Sequence, residues 1–279
     1  MPGRIRLSLL ATTTALVLAG CGAGSESAPP ASAPTPDAPA ATSPASAAAA
    51  EQAAPQAATA AAPSAQSVLT AISDIDGGGA LSYDVENGSK IHYWHGQQFE
   101  AGGKQYYTGF AWITPHKYGA DRETGRIDPA AKVTLAHATF VADGDRAWTL
   151  QGSEPFIGEF GQAEQGNAID TSRKPQTFTT ASGRVLLALP SRAGTGDAGA
   201  PAYEVLVFNP HELQGTEERK WTFLGTVAAG TAGATAAPLE LVAVDGSDLP
   251  ALRVKTAGGD KATEYRYDPG HNTYRPISR

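Results

Sequence analysis

Cysteine is nearly absent. Cys21 is the only one in 279 residues, so no disulfide can form within the chain and the folded part must be held by its core. Positive charge is also in short supply: 21 Lys and Arg stand against 28 Asp and Glu, a formal net charge of −7. An acidic chain without a basic stripe holds a phosphate backbone poorly, which argues against nucleic acid as a partner. No apolar run approaches the roughly 20 residues that a membrane-spanning helix needs. Several catalytic signatures are missing as well. There is no Gly-x-Ser-x-Gly elbow, and Gly77-Gly78-Gly79 lacks the lysine and following helix of a phosphate loop.

What is present begins at the N-terminus. Arg4 and Arg6 precede an apolar run from Leu7 to Ala19, interrupted only by Ser8 and Thr12 to Thr14, and the segment ends Leu18-Ala19-Gly20-Cys21-Gly22. A basic start, a short apolar stretch and small residues at a cleavage point describe an export signal over residues 1–20. Leu18-Ala19-Gly20-Cys21 resembles the lipobox of bacterial lipoproteins. The resemblance implies cleavage before Cys21, which would carry a thioether-linked diacylglycerol and an acylated amino group. It implies a lipid bilayer as the anchoring partner. Gly22, in place of Asp, implies the outer membrane where the host has two, facing the periplasm or the surface. Without Arg4 and Arg6 the mature chain would hold 19 basic residues against 28 acidic, a net charge of −9.

Residues 21–66 are then Ala, Pro, Ser and Thr almost throughout, with no aromatic residue. Such a segment cannot bury enough apolar area to offset ordering entropy, and it reads as a disordered tether. Some 45 flexible residues would span about 35–40 Å. The composition changes near Ser67. From there to Arg279 apolar residues alternate, and Gly and Pro punctuate at short intervals, which predicts an all-β domain. An antiparallel sandwich, a barrel and a partial propeller all fit about a dozen short strands. Arg184 to Leu189 and Tyr203 to Phe208 read as strands buried on both faces. Glu264 to Arg275, with Asp268-Pro269-Gly270 at its bend, reads as a hairpin. Val68 to Ile75 and Glu212 to Arg219 read as short helices, Gln151 to Asp170 as an acidic loop, and 228–237 as a seam between subdomains.

Four groups of residues suggest chemistry. Asp74 and Asp76, one residue apart before a Gly-rich bend, have the spacing with which calcium loops turn carboxylates onto a hard cation. Asp143-Gly144-Asp145 and Asp245-Gly246-Ser247-Asp248 are weaker echoes, the latter resembling the loop before a strand in calcium-binding, integrin-type propeller repeats. His92-Tyr93-Trp94-His95 concentrates functional side chains. Strict alternation on a strand puts His92 and Trp94 on one face and Tyr93 and His95 on the other, so the two histidines cannot chelate one ion. Glu154, Glu159, Glu164 and Asp170 supply carboxylates whose pairing depends on the fold. Most of the aromatics between Tyr93 and Trp112 are expected in the core, and Trp94, Tyr106 and Trp112 are the candidates for a contact patch where they are left exposed, because Trp and Tyr favour interfaces.

The function expected from these features is a membrane-anchored envelope lipoprotein with a non-catalytic binding domain. Its partner would be an envelope protein or polymer. One version is an inhibitor of a cell-wall hydrolase, since an acidic chain is steered toward a basic enzyme. The alternatives are an envelope hydrolase using a His or carboxylate site, and a structural or assembly lipoprotein.

Overall fold

The computed structural model describes residues 61–85, 88–115, 124–126, 128, 130–142, 147–194, 198–211, 219–255 and 262–277. Residues 1–60, which include Cys21 and the segments read as an export signal and a tether, lie outside the described residues, as do Asp143, Asp145 and most of the acidic segment expected to be helical at 212–219.

The first element starts slightly earlier than the composition suggests. Helix α1 covers Ala65–Ser73, and Ser64 caps it by accepting a hydrogen bond from the Ser67 backbone N–H. It ends at Asp74, in the left-handed conformation, whose N–H returns to Thr70 O. Val68 and Leu69 form its buried stripe.

Fourteen strands follow among the described residues, in three antiparallel sheets. The first sheet runs in sequence order through β1 (Ser82–Asp84), β2 (Lys90–Ala101), β3 (Lys104–Ile113), β4 (Val133–Ala142) and β5 (Thr149–Phe160). The second contains β6 (Ala168–Ile169), β7 (Gln176–Thr179), β8 (Val185–Ala193), β9 (Ala200–Phe208) and β10 (Trp221–Ala228), with β10 and β6 at the two ends of the order β10-β9-β8-β6 and β7 also paired to β8. The third is the meander β11 (Leu239–Val242), β12 (Ala251–Lys255), β13 (Ala262–Asp268) and β14 (Thr273–Pro276).

The alternation of buried residues shows how the sheets stack. Along β8 and β9, Leu186, Ala188, Val205 and Val207 pack with Leu239, Leu252, Val254 and Tyr274 of the third sheet. Their neighbours Val185, Leu187, Leu189, Leu206 and Phe208 pack instead with Tyr106, Phe110, Leu135 and Phe160 of the first. The middle sheet is therefore covered on both faces, as its continuous apolar runs predict. Helix α1 lies on the outer face of the first sheet, where Val68 meets Tyr107, Ala138 and Phe140, and Leu69 meets Ile91 and Ala111. Gly109 permits this approach: a Cβ there would stand 2.2 Å from Val68 Cγ2. Of the arrangements compatible with the sequence, the sandwich matches, with an added third sheet. None of the three sheets closes into a barrel among the described residues.

Three expectations need correction. Gln151 to Asp170 is not an acidic loop, since its first ten residues belong to β5, paired along β4. The 228–237 segment does not divide two cores, because residues on both sides of it enter the same cluster and Ala237 N–H bonds to Ala229 O at 2.7 Å. In β2, a bulge between Tyr93 and His95 breaks the strict alternation. His95 pairs with Phe110 and so faces the middle sheet along with Trp94, instead of sharing Tyr93's side.

Candidate functional site

The edge strands of all three sheets converge at one place. β10 packs against both β5 and β14, and two glycines allow the contact. A Cβ on Gly158 would come within 2.6 Å of Phe223 Cβ, and one on Gly225 within 2.7 Å of Thr273 Oγ1. Gly225 also takes a φ of 108°, open to glycine, where a bulge shifts the β10 register between Phe223 and Gly225. Thr273 Oγ1 donates to Leu224 O at 2.8 Å and so fastens the third sheet to the bulge. The meeting edges leave an open cleft of about 640 Å³. Lys132, Glu159, Gln162, Thr226 and His271 line it, over a floor that includes Phe223 and Asn167.

Under that floor lies a carboxylate. Glu204 is fully buried on β9, facing the first sheet. Its Oε1 accepts hydrogen bonds from Asn167 Nδ2 at 2.7 Å and Ser191 Oγ at 2.8 Å, and its Oε2 accepts one from Thr226 Oγ1 at 2.6 Å. Burial pushes its pKa above the ordinary value, opposed by these three donors and by the charge of Lys132. Asn167 and Thr226 are thus held rigidly where they face the cleft. The Asn167 carbonyl in turn accepts from Trp94 Nε1 at 2.7 Å.

The aromatics expected as a contact patch therefore have another role. Tyr106 is only 3% exposed and packs on Phe99 and Phe208 in the core. Trp94 is half-buried against Phe110 and Phe160. Trp112 is half-buried, stacks on His92 at 3.7 Å, and crowds Gly166, where a Cβ would come 2.8 Å from Trp112 Cδ1. The two tryptophans brace the loop that carries Asn167. Their apolar area is worth more between two sheets than in water.

The predicted calcium ligands do not come together. Asp74 is the helix cap, and Asp76 Oδ1 is occupied by Gln66 Nε2 and the Gly78 N–H, at 2.8 and 2.9 Å. The backbone hydrogen bond from Gly78, then that from Gln66, lowers the Asp76 pKa. Asp248 lies at the other end of the chain and bonds Ser182 and Arg184. No group of three His, Cys, Asp or Glu side chains among the described residues is placed to hold a metal ion.

The carboxylates of the Glu154 to Asp170 segment separate into different surroundings. Asp170 is buried and paired with Arg173 at 2.9 Å and Arg192 at 3.2 Å. Arg173 also lies 4.7 Å over the Tyr203 ring. Glu154 bonds Arg219 and the Lys220 N–H, each at 3.0 Å, and stands 3.6 Å from His137 Nε2. That last distance is too long for a hydrogen bond. His137 Nδ1 lies 3.1 Å from Thr139 Oγ1, which puts a hydroxyl, an imidazole and a carboxylate in series. Thr139 and His137 are fully buried between the sheets, however, and no substrate can reach the hydroxyl. Burial lowers the His137 pKa and keeps the ring neutral, even with Glu154 nearby. Among these carboxylates, only Glu159 lines the cleft.

Sequence reading passed over Glu204 and Lys132. The signal for Glu204 was present: a single carboxylate within Ala202-Tyr203-Glu204-Val205-Leu206-Val207-Phe208, a strand otherwise apolar. For Lys132 there was none, since its charge comes to act on Glu204 only through the tertiary fold. No family model, curated protein or solved structure matches the chain.

Proposed function

We propose that the chain is a membrane-anchored envelope lipoprotein whose β domain is a non-catalytic binding module, taking its ligand in the three-edge cleft. The observation that carries this reading is the state of the cleft's polar groups. Its wall presents exposed hydrogen-bonding side chains, while the one carboxylate beneath them is sealed by three donors. A floor fixed in this way preorganises recognition, and the acid beneath it is engaged by its three donors. The sealed Thr139–His137–Glu154 series is consistent with the same reading. The Leu18-Ala19-Gly20-Cys21 box supports the anchor, and the tether would carry the domain clear of the lipid surface. The partner is an envelope protein or polymer, and inhibition of a basic cell-wall hydrolase is the version that the acidic charge favours.

The test exposes the immobilised full-length chain, in detergent micelles, to envelope extract and to purified wall polymer. Retention of a stoichiometric protein or of polymer, lost on Glu159→Arg, is the expected result. Turnover of a wall polymer, lost on Glu159→Gln, would overturn the non-catalytic reading in favour of a hydrolase.

A further inference from the structure

We infer that the three-edge cleft takes a neutral sugar ring, part of a glycan, whose adjacent hydroxyls donate to Asn167 and Thr226. This rests on the binding-module reading above and names its ligand class. A carboxylate only accepts hydrogen bonds, so Glu204 dictates how the groups around it are turned. Asn167 points its amide nitrogen at Glu204, at 2.7 Å, which turns its side-chain oxygen away from the carboxylate. That oxygen has no hydrogen-bond partner among the described residues and is not closed off from solvent, although Asn167 is only 5% exposed and lines the cleft. Thr226 stands opposite Glu204 in the β9–β10 pairing, is exposed, and lines the same cleft. It commits its hydroxyl proton to Glu204 at 2.6 Å, so only lone pairs are left for a ligand. The buried carboxylate thus makes acceptors of both groups and ties them to one partner.

The ligand class follows from that polarity. An anion would meet only lone pairs at the floor, above a buried carboxylate. A cation would gain the floor acceptors but face the ammonium of Lys132, which also lines the cleft and whose charge reaches Glu204. Paired donors without charge remain. A peptide unit brings one N–H and one C=O, and its carbonyl finds no donor on this floor. Neighbouring hydroxyls of a sugar bring two donors together, and each keeps lone pairs for Lys132 or Gln162 at the wall. Phe223, half-buried and packed on Phe160, offers an aromatic surface to the C–H groups of the ring. The cleft's volume falls within the range of small-molecule sites.

The experiment probes an array of neutral glycans with the labelled full-length chain, in a detergent without sugar groups, and titrates each retained oligosaccharide by calorimetry. Binding of at least one glycan is expected. Thr226→Val should weaken it by about 10-fold, the loss of one hydrogen bond, while Thr226→Ser, which keeps the hydroxyl, should not. Glu204→Gln should weaken it by a similar factor, because the new amide nitrogen can donate to Thr226 and turn that hydroxyl's proton outward. Replacing the ligand hydroxyl that meets Thr226 by fluorine, which cannot donate, should cost about 10-fold with the wild-type chain and nothing further with Thr226→Val, a coupling that a merely structural role for Thr226 would not produce. Full affinity of every monofluoro analogue, or glycan binding unchanged by Thr226→Val, would overturn the assignment. Retention of an envelope protein, lost on Glu159→Arg and without any glycan binding, would overturn the sugar and leave the binding module standing. Absence of glycan and protein binding alike would overturn both.

Discussion

Asp248→Asn provides the sharpest check on how the third sheet is held to the second. Asp248 sits in the loop before β12, while Ser182 and Arg184 sit just before β8. Its Oδ2 accepts from Arg184 Nε and Nη2 at 3.0 and 2.6 Å and from Ser182 Oγ at 2.7 Å, and its Oδ1 accepts from the Ser182 N–H at 2.9 Å. Burial opposes ionisation, but these bonds and the Arg184 charge outweigh it and bring the carboxyl pKa down to about 2. A folded pKa below the unfolded one means the stabilisation is present above the unfolded value and disappears as pH falls through the folded value. A carboxylate shifted from about 3.9 to about 2 would contribute about 2.6 kcal/mol at neutral pH. The side chain is 27% exposed, so solvent screening reduces the expected effect to roughly 1–2 kcal/mol. Urea denaturation of wild type and Asp248→Asn at pH 7, 4 and 2.5 measures it. The variant should be less stable by that amount at pH 7, and the gap should close steadily between about pH 4 and 2. A gap that persists unchanged at pH 2.5, or is absent at pH 7, would refute the ion-pair account.

Glu204→Ala should cost about 2–4 kcal/mol by denaturation, because it leaves the buried Asn167 amide and Ser191 hydroxyl without their acceptor. For Glu204→Gln the pH trend is the test: the raised folded pKa means this group stabilises below its ordinary value and loses that contribution as pH rises, so the variant should gain on wild type as pH rises above the ordinary carboxylate range. Gly109→Ala should destabilise by about 1–3 kcal/mol, since the new methyl overlaps Val68 and lifts α1 from the sheet; faster hydrogen exchange confined to α1 and its footing would locate the effect. Cys21→Ser should abolish palmitate incorporation in a host with lipoprotein-processing enzymes and leave the melting temperature unchanged. Labelling that survives the substitution would remove the anchor from the proposal.

The class of the fold and much of its layering could be read from the chain alone. Period-two alternation is a property of the strand, so it can be read locally, and the largely apolar runs at Arg184 to Leu189 and Tyr203 to Phe208 announced a sheet covered on both faces. Asp268-Pro269-Gly270 announced the last hairpin for a similar reason, because turn chemistry is local: Asp268 Oδ1 accepts from the Gly270 N–H two residues away, at 3.0 Å. The role of each polar residue was decided elsewhere. Asp76 and Asp248 looked like ion ligands because a short spacing says nothing of distant partners; Arg184, 64 residues before Asp248, claimed it. Trp94 and Trp112 looked like surface because an aromatic strand does not show which sheet will cover it. The bulge after Tyr93 turned His95 inward through a single unpaired residue that no periodicity reveals. Above all, the cleft exists only where β5, β10 and β14 meet, edges contributed by three sheets and brought within reach by Gly158 and Gly225. Strand patterns are short-range and edge contacts are long-range, which is why the layers were legible in the chain and the site was not.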